Sequence, residues 1–180
     1  VKFSEEILKE FDLEPQVERE PVNVMKIEEM LRFMKLCAER IIKKSEIYRL
    51  TNDVDTQMDC MDIVTVKIND FTQVFRDLLI FMRKEEGTYK GGNSLRYCMT
   101  SYDTFEFQQT EVEEIFLREL LLRNEITHDY FNREMHLQKL IWIMINCSEG
   151  AMDVYYNINE YCVKHELLDK YAESSGGQML

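Results

Sequence analysis

Three histidines occur in the chain, His128, His136 and His165, and one of them has company suited to moving a proton beside an oxyanion. The stretch runs Leu121-Leu122-Arg123-Asn124-Glu125-Ile126-Thr127-His128-Asp129-Tyr130-Phe131. An imidazole titrates near neutrality and can take or return a proton. A guanidinium carries a fixed fork of donors that fits phosphate oxygens. On a straight helix Arg123 and His128 stand roughly 140° apart, while Tyr130 returns to within about 20° of Arg123. Asn124 and His128, four positions apart, share a face. A compact Arg123–His128 pair therefore needs an unwound turn near Thr127 to Asp129, or a second motif supplied by another chain. A purely structural use of these residues is also open. Arg123 can pair with Glu119 or Glu125, His128 and Asp129 can cap a helix end where a cationic imidazole is favoured, and Tyr130 and Phe131 can anchor the turn.

Other chemistries find little footing. No two histidines sit three or four residues apart and no HExxH occurs, so no histidine-based metal site is expected within one chain. His136 opens a helical stretch and reads as structural. His165, between Lys164 and Glu166, reads as a solvated surface residue. The five cysteines (Cys37, Cys60, Cys98, Cys147 and Cys162) are odd in number and form no CxxC pair. They read as reduced, largely buried thiols rather than a disulfide framework or a zinc site. Gly91-Gly92-Asn93-Ser94 is not followed by the Gly-Lys-Ser/Thr of a phosphate-cradling loop, so it reads as a connector. No metal or cofactor is expected.

The elements that must position the Arg123 stretch are helical. A chain of 180 residues with a hydrophobic share of 45% has enough material for one folded domain. Its 6 glycines and 2 prolines are too few to punctuate a β-sandwich or a doubly wound sheet. Met30, Met34, Cys37 and Ile41 recur at helical spacing and predict a helix over 25–50. Met58, Met61, Thr65, Ile68, Thr72, Phe75, Leu79 and Met82 predict a long one over 53–85, capped by Asn52 or Asp53. A second seam, Val64, Phe71, Val74, Leu78 and Phe81, runs beside the first. A loop over 87–104 leaves room for a short helix near Leu95 to Met99. Thr110 with Glu113 forms a capping box for a third helix over 109–131. A fourth runs over 134–164, with Gly150 as a bend. The expectation is an all-α, antiparallel four-helix bundle over 25–172, with an N-terminal arm over 1–24 and a flexible tail over 173–180. Ser4 can cap a short helix in the arm, which Pro15 and Pro21 interrupt. Charge breaks every apolar stretch, so no membrane span is expected. The acidic start lacks the apolar run of a secretory leader. These features point to a cytoplasmic protein.

The pattern Arg123-Asn124-x-x-x-His128-x-Tyr130 resembles the signature of the HEPN superfamily, and Tyr130 with Phe131 look most like its HepT branch. A related branch holds small substrate-binding subunits that pair with minimal nucleotidyltransferases. The resemblance covers about residues 25–165 and implies an antiparallel helical bundle with the motif near the end of its third long helix. HEPN nucleases cleave RNA without a metal, using the ribose 2′-hydroxyl as nucleophile. The resemblance thus implies that His128 is the general base or acid, that Arg123 holds the phosphorane charge, and that Asn124 orients the phosphate or the imidazole. It implies a homodimer whose two motifs form one cleft. In the HepT branch a partner nucleotidyltransferase, the antitoxin, adenylylates the motif tyrosine, here Tyr130, and the added charge silences the nuclease.

The formal net charge of −12 argues against a broad electrostatic grip on nucleic acid. An RNA site on such a chain needs a few placed cations, and Arg118, Arg133 and Lys139 lie near enough in sequence to assist Arg123. Two functions are expected from this reading. One is a toxin-like ribonuclease restrained by a minimal nucleotidyltransferase. The other is a non-catalytic substrate-binding or partner subunit of such an enzyme.

Overall fold

The computed structural model describes residues 25–126 and 133–168. These residues form an all-α bundle of six helices: α1 (Met25–Leu50), α2 (Val54–Glu85), α3 (Leu95–Thr104), α4 (Glu111–Ile126), α5 (Arg133–Asn146) and α6 (Gly150–Lys164). The expected arm and tail lie outside the described residues.

A link of only three residues, Thr51 to Asp53, turns α1 back along α2 as a helical hairpin. Asp53 caps α2, its Oδ2 accepting from the Thr56 amide at 2.9 Å. The second seam on α2 is the better buried: Val64, Phe71, Val74, Leu78 and Phe81 all lie in the core, with Ile68, Phe75, Leu79 and Met82 beside them. Each fully buried apolar side chain contributes roughly 1.5–3 kcal/mol of transfer free energy. Met58, placed on the first seam by spacing, is instead exposed. Thr65 and Thr72 sit at the rim because each hydroxyl is satisfied by the carbonyl four residues back, Met61 at 2.8 Å and Ile68 at 2.7 Å.

The short helix after the glycine-rich connector runs further than its apolar pattern predicts. α3 continues to Thr104 because Ser101 and Tyr102 are buried and Arg83 of α2 clamps its second half. Arg83 Nε donates to Ser101 Oγ at 3.2 Å, and the guanidinium lies 4.6 Å from the Phe105 ring.

The capping box of α4 is formed: the Glu113 amide donates to Thr110 Oγ1 at 3.1 Å and the Thr110 amide to Glu113 Oε2 at 3.4 Å. Glu113 is fully buried and also accepts from the Tyr102 hydroxyl and the Asn157 amide, so one carboxylate ties α3, α4 and α6 together.

The single helix expected over 134–164 is two helices. The chain turns at Cys147 to Glu149, between α5 and α6. Close packing explains the break. A Cβ on Gly150 would stand 2.5 Å from Phe116 Cβ and 2.7 Å from the Val112 carbonyl, so α6 starts where its backbone touches α4. Arg49, at the end of α1, satisfies the end of α5 by donating to the Met144 carbonyl at 2.9 Å and to Ser148 Oγ at 3.4 Å.

Candidate functional site

The last turn of α4 brings Arg123 against the middle of α2. The side chain is 97% buried, its exposure being 3%. One terminal nitrogen donates to Asn69 Oδ1 of α2 at 2.8 Å. Nε and the other terminal nitrogen are buried with no hydrogen-bond partner among the described residues. No carboxylate among those residues pairs with it either. The two acids that spacing offered are engaged elsewhere: Glu119 with Lys139 and, at 3.6 Å, with Arg118, and Glu125 with Arg96 of α3. The salt-bridged arrangement of Arg123 is therefore corrected. Its structural partner is a neutral amide. Burial pulls its pKa down from 12.5 to about 10, so it remains cationic at neutral pH.

Arg123 opens onto a cavity of about 210 Å³ lined by Asn69, Thr72, Gln73 and Arg76 of α2 and by Arg123 and Asn124 of α4. A second cavity, of about 630 Å³, shares Thr72, Arg76 and Asn124 with the first. It continues along α2 past Asp77, Ile80 and Lys84 to Tyr89, Asn93, Ser94 and Leu95. Three cations (Arg76, Lys84 and Arg123) and one carboxylate (Asp77) line the pair. On a chain with net charge −12 this is a local reversal of sign.

A histidine outside the motif responds to Arg123. His136, in the first turn of α5, has a buried Nε2 with no hydrogen-bond partner among the described residues. Burial first, and then the charge of Arg123, hold its imidazole below the usual histidine value. Sequence reasoning treated His136 as a plain structural residue. Thirteen positions and an interhelical connection separate it from Arg123, and no spacing rule carries across such a connection. Asn69 and Arg76 were missed for the same reason, since they lie on another helix. The only signal they left was that two polar residues interrupt the flank of an apolar seam.

The remaining expected site residues distribute as follows. Asn124 lines both cavities beside Arg123. Arg118 and Lys139 meet at Glu119, and neither lines either of these two cavities. Arg133 is exposed at the start of α5. His128 and Tyr130 lie outside the described residues. Among the described residues no cluster of three or more His, Cys, Asp or Glu side chains is disposed to hold a metal ion, and no helix is long and apolar enough to cross a membrane. The five cysteines are unpaired and buried, and burial pushes the thiols of Cys37 and Cys98 up to about 11 and those of Cys147 and Cys162 up to about 12.

No protein-family model, no curated protein and no solved structure matches this chain.

Proposed function

We propose that this chain is a metal-independent ribonuclease of the HEPN type that holds the scissile phosphate of RNA on Arg123. The observation that carries the reading is Arg123 itself. A buried guanidinium with no carboxylate partner among the described residues and two unsatisfied nitrogens is costly in the free protein. A phosphodiester entering the adjoining cavity supplies the missing countercharge at the edge of the guanidinium that faces it. Asn69 fixes the plane of the guanidinium, and Asn124 supplies a polar wall next to it.

The chemistry follows from the motif. The 2′-oxygen of the ribose attacks phosphorus while His128 takes its proton. The bond to the 5′-oxygen breaks, and that oxygen takes a proton from the imidazolium. The products are a 2′,3′-cyclic phosphate and a 5′-hydroxyl. Arg123 stabilises the charge that grows on the phosphoryl oxygens. No step is assigned to a metal.

The reading includes a homodimer. α5 leaves Met135, Trp142 and Ile145 exposed within about 80° of one another, an apolar face that a second copy would cover. It also includes a minimal nucleotidyltransferase as antitoxin, which adenylylates Tyr130 and places a competing anion next to Arg123. The free, buried thiols suit a reducing compartment, and we assign the activity to the cytoplasm. The same exposed α5 face also favours a second reading, in which it docks a nucleotidyltransferase and the chain is a non-catalytic subunit.

The test is cleavage of total RNA and of tRNA in EDTA by wild type, Arg123→Met and His128→Ala, each shown to be folded by its melting curve. The expected result is cutting that ends in a cyclic phosphate and falls at least about 100-fold in both variants. Absence of cutting by a folded dimer, or cutting untouched by both substitutions, overturns it.

A further inference from the structure

The two cavities adjoin along one face of α2, and their lining has a regular repeat. Thr72, Arg76, Ile80 and Lys84 recur every four residues, so they form one ridge that winds slowly around the helix, about 40° per step. Arg76 and Lys84 are two turns apart, about 12 Å along the axis. Arg123 marks one end of this row and Tyr89 the other. Lys84 Nζ lies 5.0 Å from the centroid of the Tyr89 ring. The connector that carries Tyr89 is tethered behind it, because Gly92 packs on the face of Tyr97 so closely that a Cβ would stand 2.5 Å from its ring. The N-terminus of the ten-residue α3, capped by Ser94, opens on the same space. Asp77 is the only carboxylate in the described lining, and it accepts from Arg76 Nε at 3.3 Å.

We propose that the joined cavities form a track for a single-stranded polynucleotide, with phosphates on Arg123, Arg76 and Lys84 and a base on the exposed part of the Tyr89 ring. The proposal rests on the phosphate-binding reading of Arg123 and extends it to the substrate class. A lone inorganic anion needs only the Arg123 pocket. The larger cavity, with its aromatic end and a second and third cation in line, suits a chain of nucleotides. A base pair would hide the face that Tyr89 must stack on, so the track selects unpaired strand over duplex.

The probe is a fluorescein-labelled 2′-O-methyl RNA octamer, which cannot be cleaved because its 2′-oxygens are blocked. Its binding is followed by anisotropy over a range of salt. Three phosphate contacts on a single strand give a slope of log K against log salt of about −2. Arg76→Gln and Lys84→Gln should each make the slope shallower by about 0.7. Tyr89→Ala should weaken binding about tenfold with the slope unchanged. A duplex of the same sequence should bind at least about tenfold more weakly. These three side chains are exposed or half-buried, so the variants should fold, and melting curves check that they do. Equal affinity for duplex, indifference to all three substitutions, or binding of inorganic phosphate without the octamer each overturns the track. The outcome is separable from that of the cleavage test. Octamer binding with this pattern but no RNA cutting leaves the track standing and removes the nuclease. Cutting that needs Arg123 and His128 but ignores Arg76, Lys84 and Tyr89 does the reverse.

Discussion

Replacing Arg123 by methionine should make the protein more stable, and the size of the effect follows from the site. Burial moves the guanidinium from 12.5 to about 10. At 1.36 kcal/mol per pKa unit, that is a desolvation penalty of about 3 kcal/mol. Methionine fills a similar volume with no charge. The substitution loses the bond to Asn69, and bonds to charged groups contribute roughly 1.5–3 kcal/mol. Asn69 is exposed, so water takes over its oxygen and the loss falls at the low end of that range or below it. The net expectation is a gain of about 1.5–2 kcal/mol. For a chain of this size each kcal/mol moves Tm by about 2–4 °C, so the variant should melt roughly 3–8 °C higher. A basic group whose folded-state pKa lies below its unfolded value carries the full penalty at every pH under the folded value. The guanidinium's own share of the gain should therefore be constant from pH 8 down, and relief of His136 from the Arg123 charge should add to it as pH falls.

The assay is a pair of thermal and urea melts, with and without inorganic phosphate at constant ionic strength. A bound anion at one hundred times its Kd adds about 2.7 kcal/mol to wild type. Phosphate also stabilises proteins by exclusion from their surfaces, and the methionine variant measures that background. The reasoning fails if Arg123→Met loses 3 kcal/mol or more. That is the loss expected when one member of a buried, compensated pair is removed. It fails also if phosphate stabilises the two proteins equally.

Two further outcomes test the frame around the site. Gly150→Ala should destabilise by about 1–3 kcal/mol, because its Cβ would meet Phe116 Cβ at 2.5 Å and no flexible side-chain end can yield; an unchanged melting curve would show that the α4–α6 contact is looser than described. Glu113 is fully buried, and burial is the main cause that raises its pKa above 4.5. A carboxyl with a raised folded-state value adds stability as pH falls through that value toward 4.5. Measured by urea midpoints, the difference in stability between wild type and Glu113→Gln should therefore shift in favour of wild type between pH 7 and pH 5, and a constant difference would refute the assignment.

The helices were legible where periodicity and end signals agreed. α1 and α2 follow from apolar spacing, the two candidate caps of α2, Asn52 and Asp53, resolve to Asp53, and the Thr110–Glu113 box marks α4. The break between α5 and α6 was not legible. Its cause is the contact of Gly150 with Phe116, a fact about two helices that a pattern along one cannot contain. Arg123 and Asn124 were picked out by their place in the motif, and both line the cavity. Their companions Asn69 and Arg76 belong to a helix whose pattern reports only its buried face. Side chains on its flank carry no periodic signature until another helix is laid against them. His136 escaped for a related reason. What sets it apart is the charge of Arg123 nearby and a buried, unsatisfied nitrogen, neither of which is a property of its neighbours in sequence.

Acidity and the proposed phosphate binding are compatible because they act over different distances. At physiological salt, charges further apart than about 8 Å are largely screened. The carboxylates that give the chain its charge of −12 therefore weigh little on an anion seated inside the cavities. At that range the lining weighs most, and its described residues carry Arg76, Lys84 and Arg123 against Asp77. Arg123 is also held where water cannot reach Nε or one terminal nitrogen, so its attraction for an entering phosphate is less damped than that of a surface lysine. A broad basic face would bind any polyanion by the length of its backbone. On the proposed reading, one buried guanidinium at the end of a short row of cations would instead bind a strand by the few phosphates that can reach it, and the general acidity would serve selectivity by leaving duplex and bulk RNA with nothing else to hold.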